Sequence, residues 1–264
     1  MSIRPAAVAG LFYPEDKADL YGVLADLLPE KVPENAPNKL LKKPRALIVP
    51  HAGYIYSGAV AGLGYGLLRG CTGFNGIYLF GPNHREPLQG CAAPTSDFFS
   101  TPLGDIQIDR KAINALLKND LVIEADKVHA QEHCLEVQLP FLQYLQINVP
   151  IVPLVVGECA AVDVAQIIEP LLLDSNKLVI VSTDLSHFHS YENAKKTDAH
   201  TDLKIMSADH DLKPTEACGC HALNGLLLAI KHQNLTIKKL AQCNSGDTAG
   251  AKERVVGYAC YGVF

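Results

Sequence analysis

Positive charge is in short supply in this sequence. Lys and Arg number 23 against 28 Asp and Glu in 264 residues, a formal charge of −5. Binding nucleic acid through its phosphates needs a net or local excess of cations, so no nucleic-acid partner is expected. No apolar run reaches the ~18–20 residues that a membrane-spanning helix requires, so no membrane association is expected either. The N-terminal stretch MSIRPAAVAGLFYPEDKADL is broken early by Tyr13, Pro14, Glu15 and Asp16. It therefore lacks the continuous apolar segment of a secretory signal. Internal repeats and low-complexity tracts are missing. So are G-x-x-x-x-G-K-[ST], G-x-S-x-G, H-E-x-x-H and a dinucleotide fingerprint after the first strand, which removes the commonest phosphate, acyl-transfer, zincin and nucleotide-cofactor chemistries.

What is present is enough apolar sequence, 48%, to bury a large core. Eight scattered cysteines in a chain that does not need disulfides to fold read as reduced thiols in a cytoplasmic protein. Ten histidines and no tryptophan are a mild pointer to metal or acid–base chemistry.

Along the chain, a helix is expected over about Asp16–Leu28, then an exposed loop from Pro29 to Pro44. The body alternates after that. ALIVP (46–50), GIYLFGP (76–82), VPIVPLVVG (149–157) and KLVIVSTD (177–184) read as strands buried on both faces. LQGCAAP and LGDIQID suggest a hairpin excursion. Helices are expected over Ser57–Arg69, from an N-cap at Asp109 through Lys118, and over Glu132–Gln146 despite Pro140. Further helices are expected over Val162–Leu173, Glu192–Ala208 and Pro214–His232. The end reads as two strands joined by the turn NSGDTAG. The pattern predicts one α/β domain spanning residues 1–264, with a mostly parallel or mixed central sheet covered by helices on both faces.

The reactive residues cluster by position rather than by spacing. His51 follows ALIVP, His84 follows GIYLFGP, and Asp184 and His187 follow KLVIVST. Ligands of open α/β sheets bind at the carboxyl ends of strands, so these residues are expected to share one crevice. Two imidazoles make a borderline metal site that needs a third donor, and Cys243 is a candidate among eight cysteines. A thiolate would favour Fe, Cu or Zn over Mg or Ca. Cys218 and Cys220, as a single C-x-C, are poor evidence for structural zinc. Asp184 either orients His187, three residues on, or caps a turn. Glu132 is expected to open a helix as a dipole-complementing carboxylate, with His133 lining the crevice. His129, His200, His210 and His232 read as surface residues.

RPAAVAGLFYP, VPHAGYIYSG, GPNHR, EHCLEVQLPFLQ, STDLSHFH and NSGDTAG, in this order from Arg4 to Phe264, resemble the Memo family. The resemblance implies a LigB-like fold, related to the class III extradiol dioxygenases, which are non-haem iron enzymes. The animal member is described as a motility and phosphotyrosine-peptide-binding protein and as an iron- or copper-binding redox protein. Many prokaryotic members are encoded near a radical-SAM protein. The family's metal ligands match His51, His84 and Cys243, and the facing residues match Asp184 and His187, the latter at the acid–base position of the dioxygenases. Cys243 stands where those enzymes carry a glutamate, so ring cleavage does not follow from the resemblance. The expected function is a metal-dependent redox protein using iron or copper, with zinc the other candidate metal. A small molecule or peptide would occupy the crevice. A ligand-binding module without chemistry and a zinc hydrolase are the alternatives.

Overall fold

A computed structural model describes residues 1–28 and 43–264, so the expected loop at Pro29–Pro44 falls almost wholly outside the described residues. The strands are β1 (Ile3–Arg4), β2 (Ala46–Val49), β3 (Gly76–Pro82), β4 (Cys91–Ala93), β5 (Phe98–Thr101), β6 (Gly104–Gln107), β7 (Val122–Glu124), β8 (Ile151–Val156), β9 (Lys177–Ser182), β10 (His187–His189), β11 (Ile237–Asn244) and β12 (Val255–Val263). The helices are α1 (Lys17–Leu27), α2 (Ala59–Gly66), α3 (Arg110–Leu116), α4 (Asp126–Ala130), α5 (Leu139–Tyr144), α6 (Ala161–Leu173), α7 (Tyr191–Met206) and α8 (Cys220–Gln233).

The main sheet has the order β10-β12-β2-β9-β3-β8-β4-β7, with β11 laid along β12. Its centre, β2, β9, β3 and β8, is parallel. β12 runs antiparallel to both β2 and β11, and β4 runs antiparallel to β8. Residues 46–49, 76–82 and 151–156 are buried throughout, as strands covered on both faces must be. One continuous apolar cluster joins sheet and helices. The α/β architecture with a mixed sheet is thus the expected one. Helix α2 approaches α1 so closely that a Cβ on Gly62 would lie 2.1 Å from the Leu27 carbonyl oxygen. None of the helices among the described residues is long and apolar enough to cross a membrane.

Four details differ from the pattern reading. LQGCAAP and LGDIQID do not pair with each other. The first supplies β4 of the main sheet, and the second supplies β6 of a separate sheet ordered β1-β5-β6. Glu132 and His133 lie in a loop ahead of a 3₁₀ turn (Glu136–Gln138), and Pro140 sits in the first turn of α5, where its missing N–H is not needed. Helix α8 starts at Cys220 rather than at Pro214. His129 is not a surface residue: it is 2% exposed, and its ring nitrogen Nε2 donates to the Ala92 carbonyl at 2.9 Å.

The N-terminal segment is pinned by a buried ion pair. Arg4 Nη1 reaches Glu136 Oε2 at 2.7 Å, and its other donors take the carbonyls of His129 and Glu132, each at 2.7 Å. Glu136 also accepts from the backbone N–H of Ala7 and Val8 and from the Tyr13 hydroxyl. The motif RPAAVAGLFYP is therefore the strap that fixes the 129–136 loop. Removing one partner of such a pair leaves an uncompensated buried charge, so Arg4→Met should lower the urea unfolding free energy by about 3–5 kcal/mol.

Burial lowers His129 to about 4 from the ordinary 6.5, opposed by its bond to Ala92. The unfolded chain therefore takes up a proton that the folded chain refuses, and stability falls as pH drops below 6.5 toward about 4. His129→Gln should remove about 2 kcal/mol of the stability difference between about pH 7 and pH 5, read from denaturation curves at both pH values.

Candidate metal centre

The parallel register decides where the site is. Val49 of β2 pairs with Ser182 of β9, and Phe80 of β3 pairs with the neighbouring Val181. The three strands therefore end in one row, with β9 in the middle. Neighbouring strands lie about 4.8 Å apart, so the backbones after β2 and β3 are separated by about two such spacings. Side chains can bridge that gap: the rings of His51 and His84 come to 5.3 Å between centroids, nearly perpendicular at 78°.

His51 is buried, and its surroundings fix its state. Ser182 Oγ donates its single proton to the Cys134 carbonyl at 2.7 Å. It accepts from the Gln138 amide at 2.9 Å and lies 2.9 Å from His51 Nδ1. With the hydroxyl proton spent, Nδ1 must carry the hydrogen, leaving the Nε2 lone pair free. That nitrogen lies 3.3 Å from Cys218 Sγ. Burial pushes His51 well below the ordinary imidazole range, and the neighbouring His84 and His133 add to this, so the ring stays neutral.

Cys218 reaches the site because Gly219 lets the start of α8 press on the end of β9. A Cβ at Gly219 would lie 2.7 Å from Thr183 Cβ and 2.9 Å from the Ser182 carbonyl oxygen. The backbone N–H of Asp184 points at Cys218 Sγ at 3.2 Å. Burial, with the nearby Asp184 carboxylate, pushes the Cys218 thiol far up. One donor atom each from His51, His84 and Cys218 lie within 4.8 Å of one another, close enough to surround an ion.

Asp184 is buried, and its Oδ1 accepts from the backbone N–H of His51 at 2.8 Å. Burial raises its carboxyl against the opposing effect of that N–H and of His187. Among the described residues no hydrogen bond joins Asp184 to His187. His187 begins β10, paired with Val256 at the crevice edge, and the next residue, Phe188, is exposed in the left-handed region at φ 62°.

Of the residues singled out in the sequence, His51, His84 and Asp184 come together, with His187 on the rim. Cys243 is not in the donor group among the described residues. It sits on the outer strand β11 opposite Tyr258 and lines a cavity of about 420 Å³ beside α7, with Lys195 and Asp198. Pattern reading set Cys218 aside, with Cys220, as a poor zinc motif, because a lone CGC carries no local mark of ligation. It also missed Ser182 and Gln138, the buried polar residues that orient His51. The polar end of the apolar run KLVIVS was the one available signal for Ser182.

The Memo-like protein family model matches residues 4–261. A MEMO1 family protein of Methanobrevibacter smithii is 36% identical over 287 residues, covering 99% of each chain. One from Sulfurisphaera tokodaii is 34% identical over 277 residues, covering 97% of each. A crystal structure of the uncharacterized protein JW3007 from Escherichia coli K12 superposes with a TM-score of 0.52. It covers 82% of this chain and 98% of its own at 12% identity, a likeness of fold alone. With matches that run nearly end to end, the chain belongs to the Memo family.

Proposed function

We propose that the crevice holds a transition-metal ion on His51, His84 and a cysteine sulfur, and that the protein is a redox protein using iron or copper. The observation that carries this reading is the convergence of two imidazole nitrogens and Cys218 Sγ within 4.8 Å. A nitrogen-and-sulfur donor set suits Fe, Cu or Zn and disfavours Mg and Ca. Three protein donors leave coordination positions for another molecule. When bound, such an ion supplies Lewis acidity and, for iron or copper, one-electron chemistry.

The chain's own residues prepare the place. Ser182 keeps the hydrogen of His51 on Nδ1, and Asp184 ties the His51 backbone to the loop after β9. His187, at the rim, is the residue we assign to proton transfer with the molecule in the crevice, a small molecule or peptide. Because the same donors suit zinc, a zinc hydrolase is the second reading. The eight free thiols fit a reducing, cytoplasmic setting.

Protein purified without oxygen or chelators should carry about one Fe or Cu per chain by elemental analysis, and His51→Ala should lower that occupancy at least tenfold. Absence of both metals, with no uptake on titration, would overturn the reading. Zinc at that stoichiometry, with turnover independent of oxygen, would favour the hydrolase.

The sulfur donor is decided by a pair of variants. Cys218→Ser should weaken metal binding about 100-fold and Cys243→Ser by less than about threefold, measured by competition titration. The reverse order would make Cys243 the ligand, as the family resemblance implies. Because the bound sulfur must lose its proton and the Cys218 thiol is pushed far up, affinity should rise about tenfold per pH unit across the neutral range.

A further inference from the structure

One buried carboxylate serves two rings. Glu132 is 2% exposed, in the loop between α4 and the 3₁₀ turn. Its Oε1 lies 3.0 Å from His84 Nδ1 and 3.1 Å from His133 Nδ1. The same carboxylate accepts from the backbone N–H of His84, His133 and Cys134. Those three N–H groups, on both of its oxygens, replace the water a buried carboxylate loses and hold it as a pure acceptor. His84 Nδ1 meets that acceptor in hydrogen-bond geometry and so carries a hydrogen, and a bare Nδ1 lone pair on His133, 3.1 Å from the same oxygen, would be repelled, so His133 Nδ1 carries one too. Each Nε2 then presents a lone pair on the other side of its ring.

The two rings are not equivalent. They are stacked, with centroids 4.7 Å apart and planes within 21°. An imidazole lone pair lies in the ring plane, so stacked rings send theirs along directions confined to two separate, nearly parallel planes. A single ion about 2.0–2.1 Å from two nitrogens needs those directions to converge. His84 is the ring whose donor falls in the group with His51 and Cys218, whereas His133 groups only with His84 and Glu132. His133 stands beside it, edge-on to His51 at 5.3 Å between centroids and covered by Phe12 at 4.6 Å.

We infer that Glu132 is a positioning residue that sets two imidazoles at once: His84 as a ligand, and His133 as a third, non-ligating ring whose Nε2 accepts hydrogen bonds from molecules in the crevice. The division of roles rests on the metal-centre reading. The ring states do not, so failure of one is distinguishable from failure of the other.

Metal-free protein at about pH 8 should show both His84 and His133 as Nδ1–H tautomers in long-range ¹H–¹⁵N spectra. An Nε2–H tautomer at either ring would overturn the clamp, with no variant needed. In folded Glu132→Gln at least one ring should change tautomer, and zinc affinity should fall about 10–100-fold. Two unchanged tautomers in that variant would overturn the clamp as well. Loading the wild type with zinc alone should shift the His84 Nε2 resonance and leave His133 Nε2 as that of a free nitrogen. His84→Ala should then lower zinc affinity at least tenfold and His133→Ala by less than about threefold. A zinc shift at His133 Nε2, or equal losses in the two alanine variants, would make His133 a ligand and overturn the assignment.

Discussion

The common end of three parallel strands is the constraint on which the site depends. β2, β9 and β3 are hydrogen-bonded side by side, and their register brings Val49 and Ser182 into one row, with Phe80 paired to the residue before Ser182. Each strand is apolar until that row and polar just after it. Burial on both faces leaves the strands no register freedom, because a slip would carry polar ends into the core. The chain must therefore release His51, His84 and Asp184 at one edge. Ser182 belongs to the row itself and turns position into chemistry. It is the last residue of the middle strand, and its hydroxyl fixes the tautomer of a ring arriving from the next strand.

Buried carboxylates do the rest of the positioning. Asp184, Glu132 and Glu136 are each at most 4% exposed, and each accepts backbone N–H groups from another segment of the chain. A buried charge persists only where such donors replace its water. In this fold the replacement donors are the loops that carry the histidines. Glu136 and Arg4 hold the N-terminal strap against the 129–136 loop. Glu132, in that loop, holds His84 and His133. Asp184 holds the turn at His51. The strap lies far from the strand ends in sequence, yet it fixes the loop from which two ring orientations follow.

The thiol is the other half of the donor set, and its surroundings are unlike those of a surface cysteine. Cys218 is held under Asp184 by a backbone N–H and faces His51 Nε2. Burial keeps it protonated in the absence of a cation. An ion on the two neutral imidazoles would supply the charge that makes a thiolate stable there, so ion and sulfur would depend on each other. Cys243 is half-buried on the outer strand, where burial and Asp247 raise it to about 11, in a cavity that also contains lysine.

Much of this was legible in the sequence. The apolar runs determined the buried strands, and the polar residue directly after each run marked the crevice. Asp109 was legible as a cap because a short acceptor before a helical run satisfies its first N–H groups. Family motifs reached the same His51, His84 and Asp184. The assignment of β4 and β6 to different sheets was not legible, since short strands pair according to neighbours far along the chain. Nor was the burial of His129, which depends on the distant Ala92 carbonyl. The sequence by itself determined which residues end up at the crevice edge, because hydrophobic burial and strand ends are local properties. Only the tertiary structure decided which of eight cysteines meets His51, and that Glu132, beside His133 in the chain, also grips the ring of His84. Those contacts join residues 167 and 48 positions apart, and no local pattern encodes where such segments cross.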